Sequence, residues 1–212
     1  MITAEIVFFQ LIVLIFSVII HEISHGSMAN HLGDPTAKMA GRLSLNPLKH
    51  LDFFGSFVVP LTLWLMTHGG FVLGWAKPVP FNTYNLKDQK YGKAKVAIAG
   101  PGANFALALA SGLILRFLPP EYAQFFILGK FLSIIVIVNL LLAFFNLVPI
   151  PPLDGSKVLF TFLPARYWKF EQLIERYSLL ILIIFVSLFS GFLSPLIFSI
   201  YKLIVGHMFF LT

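Results

Sequence analysis

The chain has 212 residues, no cysteine, 58% hydrophobic and 11% charged residues, a mean hydropathy of +0.88 and a formal net charge of +6. Soluble domains average about 45–50% apolar and about 25% charged residues, so the composition excludes an ordinary soluble protein and predicts an all-α polytopic membrane protein filling residues 1–212 as one domain. Without cysteine there are no disulfides or thiolate ligands, and the positive charge fits loops facing anionic lipid head groups rather than a nucleic-acid partner.

The first predicted span covers residues 5–28. Its apolar run from Ile6 to Ile20 is broken only by Gln10 and Ser17. It lacks the basic leader and small-residue cleavage site of a signal peptide, so it is expected to be retained. At its end stand His21-Glu22-Ile23-Ser24-His25. H-E-x-x-H on a helix puts two imidazoles one turn apart on one face with a carboxylate beside them, the spacing of two zinc ligands and the general base of a hydrolase. Ionisable groups are expensive in hydrocarbon, so three within five positions mark a functional site.

Further spans are predicted at 94–117, 123–147, 173–189 and 192–211, about five transmembrane helices in all. Between the first two lies a shorter apolar segment, Leu51 to Met66, interrupted by Gly55 and Pro60. Most of the Lys and Arg residues fall into three loops: Lys38, Arg42 and Lys49; Lys77 to Lys95; and Lys157 to Arg176. Placing all three loops in the cytoplasm satisfies the positive-inside rule. Residues 51–80 then have both ends on one side. They are expected to form a re-entrant segment, helical going in over 51–67 and extended coming back over 70–80, with a short ordinary crossing at 51–68 as the alternative. Such backbone is tolerated at membrane depth only where protein or a cavity surrounds it.

Two histidines do not close a catalytic zinc site, which needs a third protein ligand. Among the nine acidic residues, Asp154 stands out. It follows Pro149, Pro151 and Pro152, which end the third long span and force extended backbone. The plain alternative is that Asp154 caps a helix over 155–163. With the 51–80 segment re-entrant, Asp154 arrives on the cytoplasmic side at the depth of His21 and His25. With a full crossing at 51–68 it would emerge on the opposite face.

These residues resemble the site-2 protease family of intramembrane zinc metalloproteases. HEISHG (21–26), Gly100-Pro-Gly-Ala-Asn104 and the Asn146-to-Gly155 stretch NLVPIPPLDG carry the likeness, and Asn46-Pro-Leu-Lys-His50-Leu-Asp52 and Gly74-Trp-Ala-Lys-Pro-Val-Pro80 are similar to a compact prokaryotic branch. No room remains for the PDZ or CBS domains of other branches. The resemblance implies one Zn2+ per chain held by His21, His25 and Asp154, with Glu22 as the base. It implies that Asn104 contacts the substrate backbone or the developing oxyanion; the alternative is helix-packing glue on a small-residue face of Ala103, Ala106, Ala108 and Gly112. The expected partners are the lipid bilayer and a transmembrane protein substrate, cleaved within or near its membrane segment. The expected location is the plasma (inner) membrane, multi-pass, with the site towards the cytoplasm.

Attack requires an unwound substrate, which an edge strand over Phe71–Pro80 can hold by strand addition; a plain loop is the alternative. His50 lies near the expected depth of the metal, where an interfacial role is the plainer reading. His31, His68 and His207 sit near span ends and are not assigned to zinc. Two other functions remain. One is a catalytically inactive relative that binds membrane proteins, against which the retained Glu22 argues. The other is a metal transporter, against which the lack of internal repeats argues.

Overall fold

The computed structural model describes residues 4–52, 54–58, 61–62, 65, 76–118 and 126–206, and its regular elements there are helical, with no strand among the described residues. The first apolar run forms α1 (Ala4–His31). It closes at Gly33, whose φ of 109° only glycine adopts without strain. Gly33 N–H donates to Asn30 O (3.2 Å) and Asp34 N–H to Ala29 O (2.9 Å), the bond pair of a left-handed helix terminus. A single turn, α2 (Thr36–Met39), ends the same way at Gly41.

Then come α3 (Gly92–Phe117), α4 (Phe126–Asn146), α5 (Asp154–Phe162), α6 (Trp168–Arg176) and α7 (Ser178–Val205). Three helices are long and apolar enough to cross a membrane: α1, α3 and the Leu128–Asn146 part of α4. At about 1.5 Å per residue they reach about 42, 39 and 28 Å, enough for a hydrocarbon core of about 30 Å.

These three helices pack against one another, α5 lies on α3, and α7 packs on α3 and α4. Lipid tails are as apolar as leucine, so close fit rather than burial holds such helices together. On α3 the buried stripe runs Gly100, Pro101, Asn104, Ala108, Gly112, Leu115. Of the small-residue face expected there, Ala108 and Gly112 are buried and Ala106 is exposed. A Cβ at Gly112 would come within 2.5 Å of Ile204 on α7. Around this contact Leu115, Val136, Leu140, Tyr201 and Val205 form the tightest apolar cluster. Inside it the hydroxyls of Ser133 and Tyr201 pair at 2.7 Å. Arg116 covers the last carbonyls of α7 by donating to Leu203 O and Ile204 O.

Two boundaries differ from the sequence reading. Residues 178–205 form one continuous helix where spans at 173–189 and 192–211 are predicted, and residues 168–176 form the separate helix α6. The helix runs through Gly191 and Pro195; in an apolar setting a broken helix would leave carbonyls and amides without partners.

The turn of the 51–80 segment, and with it residues 71–75 of the expected strand, lies outside the described residues. Residues 76–80 have no regular secondary structure. The ends of the segment meet, since Lys77 N–H donates to His50 O at 2.9 Å. It therefore leaves and returns at one place in the molecule, as a segment with both ends on one side requires.

Asp34 ties this region together. Fully buried, its carboxylate accepts from Asn82 N–H (2.6 Å), Asn85 Nδ2 (3.0 Å), Thr36 N–H (3.2 Å) and the Thr36 hydroxyl. Burial alone would push the Asp34 carboxyl up; the side-chain donors of Thr36 and Asn85 and the amides of Asn82 and Thr36 outweigh it and hold the carboxyl below its ordinary value. A depressed folded-state value stabilises the fold above the unfolded value of about 3.9, and that stability is lost as pH falls through the folded value. Asp34→Asn is expected to cost about 1–3 kcal/mol at neutral pH and to flatten the loss of stability below about pH 4, as followed by near-UV circular dichroism of acid unfolding in detergent.

Candidate metal centre

His21 and His25 face the same way from α1 because a four-residue step is close to one helical turn. The chain between α4 and α5 brings Asp154 to meet them. Its Oδ2 lies 3.0 Å from His21 Nε2 and 3.0 Å from His25 Nε2. All three side chains are buried, and their ligand atoms lie within 4.8 Å of one another, the only such group among the described residues. Asp154 is the first residue of α5, whose N-cap is Leu153 without a side-chain cap bond, so the capping alternative is not realised.

The hydrogen bonds behind the rings decide which nitrogen carries the proton. His25 Nδ1 lies 2.7 Å from Val96 O. A carbonyl only accepts, so Nδ1 is protonated and Nε2 of the neutral ring is a lone pair. His21 Nδ1 lies 2.6 Å from Asn104 Oδ1. The orientation of that amide is set from its far side, where Nδ2 donates to Ser17 O (3.1 Å) and to Asn139 Oδ1 (2.8 Å). Ser17 O accepts only, hence Asn104 turns its oxygen to His21. Asn139 is fixed in turn by donating to Ile135 O and Ser17 Oγ, both at 2.9 Å. His21 therefore also donates from Nδ1 and presents an Nε2 lone pair.

With both rings neutral, two lone pairs and a carboxylate oxygen converge, and a cation between the three, a metal ion or a ring proton shared with Asp154, would balance them. Tetrahedral zinc with bonds of about 2.0–2.1 Å separates its ligand atoms by about 3.4 Å, which the observed spacing brackets. The donor set of two imidazoles and one carboxylate suits zinc and leaves a fourth position open.

The supporting parts are equally specific. Lys157, one turn along α5, holds Asp154 Oδ1 at 2.8 Å, leaving Oδ2 for the histidines. Burial opposes the ionised form of the Asp154 carboxyl, and the Lys157 ammonium favours it. Gly100 is where α3 passes behind the rings. A Cβ there would stand 2.4 Å from His25 Nε2 and 2.7 Å from His21 Cε1. Gly155 lets the chain fold back on itself, since a Cβ would meet Leu147 O at 2.1 Å.

Glu22 stands half-buried beside the group, with Oε2 accepting from Val79 N–H at 2.9 Å. Asn104 is fully buried; its oxygen and its amide nitrogen are committed to His21, Ser17 and Asn139, so contact with a substrate would require it to release one of them. His50 is buried away from the group and gives its Nε2 proton to Ser44 O. His31 is exposed at the end of α1, and His68 and His207 lie outside the described residues. Sequence reasoning missed Val96, Ser17 and Asn139 as partners of the site, although Ser17 and Asn139 are polar residues inside apolar helices and carry that signal.

The chain is similar to known proteins. Residues 121–189 match the model of the family described as Peptidase family M50. "Putative zinc metalloprotease YwhC" of Bacillus subtilis is 37% identical over 186 residues, covering 84% of this chain and 80% of that protein. "Putative zinc metalloprotease Rip2" of Mycolicibacterium smegmatis is 33% identical over 74% of this chain and 61% of its own length. "Putative zinc metalloprotease MJ0611" of Methanocaldococcus jannaschii is 30% identical over 66% of this chain and 63% of its own length. No solved structure matches the chain.

Cobalt(II) titration, read by its visible absorption, tests the supporting parts. Asn104→Leu is expected to weaken metal binding about 10- to 100-fold. Asn139→Leu, one bond further out, is expected to weaken it less. Gly100→Val is expected to abolish the absorption by displacing both rings.

Proposed function

The chain belongs to peptidase family M50, the site-2 protease family, and from that premise we propose that it is an intramembrane endopeptidase holding one zinc ion through His21, His25 and Asp154. Its substrates are other membrane proteins, cut within or beside a transmembrane segment, in the manner of regulated intramembrane proteolysis. The observation that carries this reading is the convergence of two Nε2 atoms on one carboxylate oxygen at 3.0 Å, with the Nδ1 side of each ring turned to an acceptor.

Bound there, zinc supplies Lewis acidity, acidifying water and polarising a carbonyl. His21 and His25 are held in the ligating tautomer by Asn104 and Val96. Lys157 keeps Asp154 one-armed towards the histidines. Glu22 is the base: with Oε2 held by Val79 N–H, Oε1 takes a proton from the attacking water and passes it to the leaving amine nitrogen. Asn104 serves the reaction through His21, and any direct contact with the oxyanion is an additional role. The basic loops around Lys77–Lys95 and Lys157–Arg176 support a site on the cytoplasmic side of the membrane.

Zinc content of the detergent-purified chain, measured beside cleavage of an internally quenched single-span peptide of about 20 apolar residues with a central Asn-Pro to unwind it, tests the proposal. Wild type and Glu22→Gln should each carry about one zinc, as a single closed ligand set requires, and Asp154→Ala should lose it. Only wild type should cleave, with Glu22→Gln down by about 10²–10⁴-fold. Full zinc in Asp154→Ala would remove that residue from the ligand set. Zinc without cleavage of this or any other single-span peptide would favour an inactive membrane-protein binder.

A further inference from the structure

Two motifs of the chain, around Asn46–Asp52 and around Lys77–Pro80, supply no ligand to the candidate metal site. They meet at Arg42. Its side chain is only 9% exposed, and no carboxylate pairs with it among the described residues. It donates instead to three backbone carbonyls: Lys49 O, Lys77 O at 2.7 Å and Pro78 O at 3.3 Å. A charge taken out of water costs several kcal/mol unless its surroundings compensate, so this arrangement calls for a reason. Lys77 N–H donates to His50 O at 2.9 Å, so the 42–50 loop and the 77–79 segment are tied twice.

The peptide group between Pro78 and Val79 receives Arg42 on its oxygen and gives its hydrogen to Glu22. Among the described residues only the Pro151–Pro152 bond is cis, so this bond is trans and its C=O and N–H point in opposite directions. The guanidinium thus stands on one side of a single peptide plane and the Glu22 carboxylate on the other. A cation on a carbonyl oxygen polarises the amide and strengthens the hydrogen bond its N–H donates. The same segment packs on α1 at Gly26, where a Cβ would stand 2.8 Å from Val79 Cγ1 and 2.7 Å from Leu43 Cδ2. A larger residue there would lift Val79 off the helix that carries Glu22.

We propose that Arg42 is a positioning residue for Glu22, acting through the Pro78–Val79 peptide group to fix the carboxylate by one oxygen and leave the other for the water proton. The proposal rests on Glu22 being the base, but the link itself has a readout that needs no substrate. Hydrogen exchange of the zinc-loaded full chain in micelles, resolved to single amides by electron-transfer fragmentation, reads Lys77 and Val79 directly. Glu22→Ala should speed exchange at Val79 and leave Lys77 protected. Arg42→Met should speed both about 10- to 100-fold, as loss of a charged hydrogen bond predicts, with zinc content unchanged.

In cleavage of the single-span peptide, Arg42→Met should lower kcat with KM unchanged, the pattern of an interaction needed only for the chemical step. Arg42→Lys, which keeps the charge but not the fork, should recover part of the loss. Unchanged exchange at Val79 in Arg42→Met overturns the proposal, and so does a rise in KM alone. If Arg42→Met loses its zinc, Arg42→Lys decides by the same two criteria. Failure of wild type to cleave would sink the peptidase reading by itself, while the exchange data would still decide whether Arg42 reaches Glu22.

Discussion

Two backbone carbonyls, Ser17 O and Val96 O, govern the chemistry of this site. Neither can donate a hydrogen bond. Val96 O thereby fixes the proton of His25 on Nδ1. Ser17 O fixes the orientation of the Asn104 amide and, through it, the proton of His21. From those two proton positions follow the Nε2 atoms that both rings turn to Asp154 and the suitability of the group for a metal that takes imidazole and carboxylate together. The constraint is cheap to maintain inside a membrane, because helical carbonyls are already in place and no water competes for them.

Around that centre charge is distributed in two tiers. The inner tier is the carboxylate of Asp154, divided between the histidines on one oxygen and Lys157 on the other. The outer tier is Glu22, whose Oε2 accepts from Val79 N–H. Each carboxylate thus has one oxygen tied by a nitrogen donor. A carboxylate free to rotate would present either oxygen, and reaction geometry held to within about half an ångström requires that freedom to be removed.

Much of this was legible in the chain. The four-residue spacing of His21 and His25 gives their shared face from helix geometry alone. The prolines before Asp154 mark the place where an acidic residue leaves the end of α4, and the uneven spread of Lys and Arg leads to the re-entrant reading under which it arrives at the depth of the histidines. The rest had no side-chain signature. Val96 acts through its carbonyl, which every residue possesses, and the amide of Val79 is equally anonymous. Asn104 was visible as a polar residue in an apolar helix, but its partner depends on where three helices cross. The continuity of α7 was hidden for a different reason: length and hydropathy place apolar runs over 173–189 and 192–211 without showing whether the backbone between them stays helical.

The chain of hydrogen bonds from His21 through Asn104 to Ser17 and Asn139 has a mechanical side. It stitches α1, α3 and α4 together at one depth, with bonds of 2.6 to 3.1 Å. Sliding any one of these helices by an ångström or so would carry those contacts beyond hydrogen-bond range and release the ring that it orients. Parting these three helices would therefore take the centre apart, and while it stays assembled they move as one body.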